Sequence, residues 1–552
     1  MTTRNFCFGA SALLLAYVAI ASWFGATLFT DEVYNHALVL RSSLQAAEFP
    51  LETSFTHWYS DPLPIVRPED WHRSAYLVAL SFIHEVAPMH GHTIVNAITC
   101  ILLVVFAYSS ALLLSRITGI SVVEVLAKPI LVFCTVLVVF SEAFSQAVVS
   151  DYMDDIPATL LALAGLCVFV LLGIESRTGA FASGVIISLA VVVKPLSLLL
   201  LPSLLLAVAT YGLFQRNLLQ ATQYGVYLVI GFLAVLAPFI LWNLAELGLA
   251  MPDQARIALN GRMLDVYDGE HQVYFVRSDI SPIRSWSDIV AQRGLGDIVV
   301  GGIYVLTHVV WANAIVILLA ILSAVYLLVI AARERLDDPV VRLVFLTSSL
   351  AIGMILFFAL RLGEAGQHRY WLTLLALCSA MIGAALIRVT QPWSKSSKPP
   401  LALSVILTVV VIYSEWWNIA RVAGSVVQER QSFYSPEIAE PLRDFATTGS
   451  IMLHTNQGPV FWRDNPNVEI VGMKPGVLVR LTEVEFQAFY EAYPIRAAAF
   501  QRGDVGWVGS DDDRPPLASD AVDYLIERGF CIVVDTPENT LLASPNHCRG
   551  SG

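Results

Sequence analysis

The stretch SDYMDDIPATLLALAGLCVFVLLGI, residues 150–174, sets three carboxylates directly before an apolar run long enough to cross a bilayer. Apolar runs of similar length recur from Phe6 to Ala420, and 56% of the 552 residues are hydrophobic while 14% are charged. The mean hydropathy of +0.66 is far above that of a water-soluble domain. The sequence therefore predicts a polytopic membrane protein.

About eleven apolar runs are predicted to be transmembrane helices, which makes the fold mainly α, a helical bundle. They cover residues 6–29, 92–115, 125–143, 156–174, 180–193, 196–213, 221–243, 301–331, 342–361, 370–388 and 401–420. The shorter run 74–88 carries His84 and Glu85, so we interpret it as an amphipathic helix on the membrane surface.

The distribution of Lys and Arg orients this bundle. With eleven spans, the segments around Arg4, Arg116, Arg177 and 388–398 all fall on one side. Short loops rich in Lys and Arg face the cytoplasm, so the N-terminus is predicted to be cytoplasmic. Counting 74–88 as a twelfth span would reverse every later loop and break this pattern.

With this orientation, most of the polar segments are predicted to lie outside the cytoplasm. The protein itself is predicted to reside in the inner or plasma membrane of the cell. The predicted outer segments are 30–91, 144–155, 244–300, 362–369 and the tail 421–552. The formal net charge of −12 belongs mainly to these segments, and nucleic-acid partners, which need basic surfaces, are excluded. No Walker-type loop or Gly-rich dinucleotide motif is present, so nothing indicates ATP-driven transport.

The tail 421–552 differs in composition from the membrane module 1–420 and is predicted to be a small extracytoplasmic α/β domain. Short β-like runs begin at Ile451 and Cys531, and helix-like stretches cover 483–492 and 519–528. Cys531 and Cys548 are the two cysteines outside the apolar runs. Two cysteines alone leave open whether they form a disulfide.

The first acidic cluster follows the first predicted span. Asp31 and Glu32 lie side by side where the apolar run ends, and His36 follows Glu32 by one helical turn. A polar stop at the interface and a catalytic pair are both consistent with this pattern.

The second acidic cluster is Asp151, Asp154 and Asp155, in the short outer loop before the span 156–174. No Lys or Arg accompanies these acids in the loop, so they repel one another unless a proton or cation is present. They are candidate acceptor-binding or metal-binding residues, although a solvated acidic loop is also consistent with the sequence.

Two basic motifs lie on the same predicted side. Lys194 precedes Pro195 between two short spans, and a lone ammonium in that apolar setting either snorkels or binds an anion such as a lipid phosphate. In the turn 362–369 and at its edge, Arg361 and Arg369 could bind a phosphate and His368 could orient an acceptor.

The order and shared side of these motifs resemble the GT-C superfamily of glycosyltransferases, which use polyprenyl-phosphate sugars. The likeness is to the branch of protein O-mannosyltransferases and lipid A aminoarabinose transferases, and it covers roughly residues 6–390 in layout. One departure concerns the first loop, where this chain has Pro68-Glu-Asp-Trp-His-Arg in place of the family's His-Pro-Pro-Leu-Tyr.

The resemblance implies the roles of several residues. Asp31 would be the catalytic base with Glu32 beside it, one of Asp151, Asp154 and Asp155 would act on the acceptor or a metal, and Lys194 and Arg369 would bind the donor phosphate. It also implies a polyprenyl-phosphate-linked sugar donor, a glycan, lipid or protein acceptor, and a divalent cation (Mg²⁺, Mn²⁺ or Zn²⁺) as a candidate cofactor, with Asp31, Asp151 and Asp155 as ligands.

Two other classes of function are consistent with the same residues. A transporter or flippase also carries intramembrane charges, although transporters usually have repeated halves and sites near mid-membrane. A polymerase of surface glycans would share the outer acceptor chemistry.

Overall fold

A computed structural model of the chain describes most of the membrane bundle and part of the tail. The described residues are 3–24, 55–56, 58–59, 65–66, 75–87, 89–148, 154–247, 299, 302–303, 305–307, 313–334, 338–360, 371–390, 398–427, 436–445, 450–453, 469–472, 478–479, 482–492, 495–501, 518–537 and 539–548.

The membrane module is built from helices. They are α1 (Thr3–Phe24), α2 (Ala75–Val86), α3 (Gly91–Ala107), α4 (Ser109–Thr118), α5 (Val122–Leu126), α6 (Pro129–Val139), α7 (Glu142–Val148), α8 (Asp155–Leu172), α9 (Arg177–Val193), α10 (Leu200–Phe214), α11 (Leu218–Leu247), α12 (Ala314–Glu334), α13 (Asp338–Leu360), α14 (Leu372–Thr390), α15 (Lys398–Ser414) and α16 (Trp416–Val427).

These helices confirm the predicted polytopic fold. Among the described residues, seven helices are long and apolar enough to cross a membrane, and the count reaches nine if each of two bent pairs is one span. The bent pairs, α3 with α4 and α6 with α7, match the predicted spans 92–115 and 125–143. Two shorter apolar helices, Arg177–Val193 and Leu401–Ser414, match the two remaining predicted spans.

Helix α2 covers most of the run 74–88, which the sequence predicts to be a surface helix. Its 12 residues give a length of about 18 Å, too short to cross the apolar core. His84 is buried against Gly91 at the start of α3, where a Cβ atom on Gly91 would overlap the imidazole ring. Burial lowers the pKa of His84, so the ring is neutral near pH 7.

Glycines allow close packing of the described helices α9 and α11. A Cβ atom on Gly184 would overlap the carbonyl oxygen of Leu228, and one on Gly231 would overlap that of Phe181. Small residues allow helix backbones to approach in a membrane, where packing and hydrogen bonds replace the hydrophobic drive. Helix α9 is also tied to α8 by a 2.7 Å hydrogen bond from Ser183 Oγ to the Gly165 carbonyl.

Arg342 is hydrogen-bonded to the C-terminal end of α8. Arg342 belongs to α13 and is buried, with 7% of its surface exposed. Its Nε donates a 2.8 Å hydrogen bond to the Val170 carbonyl. The guanidinium thus satisfies a carbonyl at the negative end of the α8 dipole, which compensates for its burial.

The last apolar helix is shorter than predicted, because α15 ends at Ser414 and a separate amphipathic helix α16 begins at Trp416. Trp416 and Trp417 are largely exposed, as expected of aromatic residues at a membrane interface. Glu415, in the break, is buried, and Asn418 Nδ2 donates a 2.6 Å hydrogen bond to its Oε2. Burial, reinforced by the negative charge of Glu142, raises the pKa of Glu415 to about 7.

The tail forms the predicted α/β domain around a six-stranded sheet. Its strands, in the order β1 (Phe55–Thr56), β5 (Glu469–Gly472), β4 (Ser450–Leu453), β6 (Ile495–Gln501), β8 (Asn539–Ala543) and β7 (Cys531–Asp535), pack with helices α17 (Pro436–Phe445), α18 (Glu483–Ala492) and α19 (Ala518–Glu527). Strands β1, β5, β4 and β6 are parallel, and β8 is antiparallel to both its neighbours. The core on one face includes Phe486, Leu525 and Leu542.

One strand of this sheet comes from the first loop. Phe55 and Thr56 of β1 pair with Ile470 and Val471 of β5, and a short hairpin of β2 (Trp58–Tyr59) and β3 (Ile65–Val66) follows. Backbone pairing requires the first loop and the tail to lie on the same side of the membrane. An even number of crossings must separate them, which eleven spans satisfy and twelve would not.

Cys531 and Cys548 form a disulfide, with 5.8 Å between their Cα atoms. It joins the β7 edge of the sheet to the end of the chain that the structure describes. Disulfides persist in oxidising compartments, so the bond agrees with the predicted extracytoplasmic position of the tail.

We expect Gly231→Ala to lower the thermal midpoint of the detergent-solubilised protein by roughly 5 °C or more, because the new methyl group overlaps the Phe181 backbone. The measurement is size-exclusion chromatography after heating to a series of temperatures. Gly225→Ala is the matched control, since a Cβ atom there meets only Leu205 Cδ2 at 3.4 Å. Equal midpoints for the two variants would contradict the proposed close crossing.

The raised pKa of Glu415 predicts a pH-dependent loss of stability. Between its ordinary value of 4.5 and about 7, the folded protein keeps a proton that the unfolded chain releases, so stability falls as pH rises through this window. Glu415→Gln removes the cost of the buried charge and can still accept the Asn418 hydrogen bond. Its thermal midpoint should exceed that of the parent by a few degrees at pH 8 and equal it near pH 4.5.

Glu124→Gln is the control for this comparison, because Glu124 is exposed. A difference between Glu415→Gln and the parent that stays constant from pH 4.5 to 8 would show that Glu415 does not titrate in this range.

Candidate functional site

The candidate site is assembled by the helix hairpin α8–α9. Asp154 precedes α8, Asp155 is its first residue, and Lys194 directly follows α9. The two helices have 18 and 17 residues, so an antiparallel hairpin returns the chain to the level at which it began. Near-equal helix lengths therefore bring Lys194 to the two acids, which lie about 40 residues earlier in the sequence.

Lys194 binds both acids. Its Nζ lies 3.0 Å from Asp154 Oδ1 and forms a second ion pair with Asp155 Oδ1. The side chains of Asp155, Asp154 and Lys194 are 4%, 11% and 15% exposed. The three groups together hold two negative charges and one positive charge in a place with little water.

The start of α8 also favours these carboxylates. Backbone N–H groups in the first turn of a helix have no partner within the helix, and its dipole is positive there. Pro157 lies in this first turn, where its missing N–H costs nothing. The positive end of the α8 dipole and the Lys194 ammonium thus both lie beside the two carboxylates.

Lys194 and Asp155 line a largely apolar cleft. Its walls come from the turn Pro195–Leu199 and from α8, α10, α13 and α14. The lining side chains are Asp155, Ala158, Thr159, Lys194, Leu196, Ser197, Leu199, Leu200, Leu350, Met354, Phe358 and Thr373. The cleft combines a charged mouth, a few hydroxyl groups and an aliphatic and aromatic wall, which suits an amphiphile with a polar head and a hydrocarbon tail.

Some of these residues were not predicted from the sequence. Met354, Phe358 and Thr373 lie within predicted apolar spans. No local sequence pattern distinguishes residues that line a cleft from residues packed in the core of the helix bundle.

Several predicted site residues lie outside the described part of the chain and stay predictions. They are Asp31, Glu32, His36, Asp151, Arg361, His368 and Arg369. The described helices on either side of the turn 362–369 do contribute to the cleft, through Phe358 of α13 and Thr373 of α14. Trp371, directly before α14, stacks on Phe358 of α13 with ring centroids 5.3 Å apart, so the facing ends of the two helices are in contact.

The metal hypothesis is only partly supported by the described residues. Among them, no group of three His, Cys, Asp or Glu side chains is placed to hold an ion. Asp154 and Asp155 offer hard oxygen ligands of the kind that Mg²⁺ and Mn²⁺ prefer, and their present cation is the Lys194 ammonium. These two acids fit a divalent cation, and any further ligand must come from outside the described ranges.

Comparisons with known proteins bear on the fold. No protein-family model and no curated protein matches the chain. Solved structures do match, among them the oligosaccharyltransferase of Archaeoglobus fulgidus in complex with Zn and sulfate, with a TM-score of 0.52 and 12% identity. That match covers 88% of this chain and 68% of the archaeal one.

The apo form of the same oligosaccharyltransferase matches with a TM-score of 0.51 and 12% identity, over 89% of this chain and 69% of that one. Both matches concern the fold alone, and they agree with the polytopic helical fold predicted from the sequence. The narrower branch, close to protein O-mannosyltransferases and lipid A aminoarabinose transferases, gains no support from these matches. The chain shares its fold with this archaeal oligosaccharyltransferase.

Proposed function

We propose that the protein is a membrane glycosyltransferase that moves a sugar from a polyprenyl-phosphate carrier to an extracytoplasmic acceptor. The observation that carries this proposal is that Lys194 lines an apolar cleft between membrane helices, where it is the Lys or Arg among the described lining residues. The fold shared with the archaeal oligosaccharyltransferase supports the same reaction class.

The cleft suits a lipid-linked phosphate better than a soluble nucleotide sugar. Leu350, Met354 and Phe358 offer an apolar wall for hydrocarbon, while Lys194 offers a point charge for a phosphate oxygen. A nucleotide would leave these apolar side chains without a matching surface. Arg361 and Arg369, in the segment between α13 and α14, are proposed as further phosphate ligands, with His368 orienting the acceptor.

The proposed reaction is a single in-line displacement at the anomeric carbon. The bond from that carbon to the acceptor oxygen forms while its bond to the phosphate oxygen breaks, and Asp31 takes the hydroxyl proton. Lys194 and Arg369 stabilise the negative charge that collects on the departing polyprenyl phosphate. Because this phosphate is already a good leaving group, the protein mainly positions the reactants and stabilises charge.

The remaining acids serve the acceptor side in this proposal. Glu32 and His36 flank Asp31, and one of Asp151, Asp154 and Asp155 orients the acceptor. A divalent cation bound by these acids would supply further positive charge for the leaving group. The ion pairs of Lys194 with Asp154 and Asp155 support a shared site. They bring the residue predicted to bind the donor phosphate next to two residues predicted to bind the acceptor.

We expect Asp31→Asn to reduce turnover by about 100-fold or more in transfer assays with polyprenyl-phosphate sugars, since the acceptor hydroxyl would lack its base. Glu175→Gln is the control, because Glu175 is exposed just beyond the far end of α8. Undiminished turnover of Asp31→Asn would remove Asp31 from the base role. Transport of the lipid-linked sugar with no transfer product would favour the flippase alternative.

The cleft itself is tested by filling it. Met354→Trp should raise the KM for the lipid-linked donor roughly tenfold, because the indole would occupy the space assigned to the first hydrocarbon units. The control is Ile352→Trp on the same helix, where the side chain is 50% exposed and does not line the cleft. Steady-state kinetics with varied donor separate the two variants, and equal KM values would place the donor elsewhere.

A further inference from the structure

Trp371 carries an indole N–H for which the described part of the chain supplies no hydrogen-bond acceptor. The residue is 6% exposed, and its Nε1 atom is shielded from solvent. A Trp side chain has this single donor and no acceptor of its own. Burying such a donor without a partner is unfavourable, and buried polar groups in proteins are usually paired. The indole can therefore still donate one hydrogen bond to an incoming acceptor.

The ring of Trp371 is held in place by its neighbour. It stacks on Phe358 with 5.3 Å between the ring centroids and 30° between the ring planes. A buried serine hydroxyl can rotate toward a carbonyl of its own helix, whereas an indole N–H turns only with the whole ring. Such a turn would break the stack on Phe358. A partner for the N–H therefore has to come to the indole.

Trp371 borders the cleft that contains Lys194. Its stacking partner Phe358 lines that cleft, and so does Thr373, two residues further along the chain. Two more lining residues, Met354 and Leu350, precede Phe358 on α13 at intervals of four residues. This spacing places the three side chains on one face of α13 over about 12 Å. They form an apolar stripe, and Trp371 stacks on its last member.

The stack lies at the charged end of the cleft. Arg342 Nε is bonded to the Val170 carbonyl, so the end of α8 meets the beginning of α13 and the two helices run antiparallel. Asp155 is about 23 Å back along α8 from Val170, and Phe358 is about 24 Å forward along α13 from Arg342. Phe358 and Asp155 are therefore level with each other. The apolar stripe leads away from that level, deeper into the bundle.

We propose that Trp371 binds the phosphate of the lipid-linked donor through a hydrogen bond from Nε1. The proposal rests on the proposed function, since it assumes a lipid phosphate in this cleft. Hydrocarbon along the stripe from Phe358 to Leu350 places the phosphate at the end where Lys194 and Trp371 lie. A donor bonds a charged phosphate oxygen more strongly than a neutral oxygen. Lys194 supplies charge and the indole supplies direction, so Trp371 is a binding residue and takes no part in bond breaking.

The first test measures binding of two radiolabelled lipids to full-length protein in detergent micelles. The probes are a sugar-free polyprenyl monophosphate and the matching polyprenol, which lacks the phosphate. Trp371→Phe keeps an aromatic ring against Phe358 and removes the N–H. We expect it to bind the monophosphate about tenfold more weakly than the parent and the polyprenol equally well. Trp416→Phe is the control, because Trp416 is exposed, and it should match the parent with both lipids.

The second test observes the indole N–H itself by NMR of protein labelled with nitrogen-15 in its 12 tryptophans. The Trp371 signal is the one that disappears in Trp371→Phe. It should move downfield when the parent is saturated with the monophosphate, because the N–H gains a charged acceptor, and it should move little with polyprenol. If Trp371→Phe does not fold, Trp371→Leu replaces it in both tests.

Three results would overturn the role of Trp371. They are equal binding of the monophosphate by Trp371→Phe and the parent, an equal loss of affinity for both lipids, and an indole signal that stays in place at saturation. The second would show that the ring serves packing, and the third that the N–H does not bind the phosphate. Failure of the proposed function gives a different result, since the parent would then not retain the monophosphate at all.

Discussion

The ion pairs of Lys194 with Asp154 and Asp155 are the interaction on which the site depends, and they depend in turn on the α8–α9 hairpin. Side-chain charges with so little exposure persist in a protein interior only when they are paired. The hairpin must therefore hold its helices in one axial register. Ser183 bonded to Gly165 at one level and Arg342 bonded to the end of α8 at another restrict sliding of α8, so the register and the ion pairs support each other.

Much of the fold followed from the sequence because the bilayer permits few solutions. A backbone in hydrocarbon must satisfy its own hydrogen bonds, so each apolar run of sufficient length forms a helix, and the predicted spans correspond to helices in the structure. Helix ends were harder to place. The span predicted over 401–420 ends at Ser414, because a single acid, Glu415, and two tryptophans mark the interface within a run that still reads as apolar on average.

The site was only partly predictable for a related reason. Lys194, Asp154 and Asp155 could be identified as candidate site residues because each is a charge next to an apolar run. The sequence predicted that Lys194 binds the donor phosphate and that the acids bind the acceptor or a metal, and it gave no sign that they pair with one another. Their pairing depends on the relative lengths of two helices and the packing between them, which a local pattern does not contain. The cleft residues Met354 and Phe358 carry no sequence signal, since facing a cleft and facing a core demand the same apolar side chains.

The tail's sheet includes a strand from the first loop, since β1 pairs with β5 at its edge. A strand of two residues is too short to be stable alone, so β1 depends on the folded tail for its backbone hydrogen bonds. The chain between α1 and α2 is therefore bound to the tail at this point, and the tail in turn gains an edge strand from the membrane module.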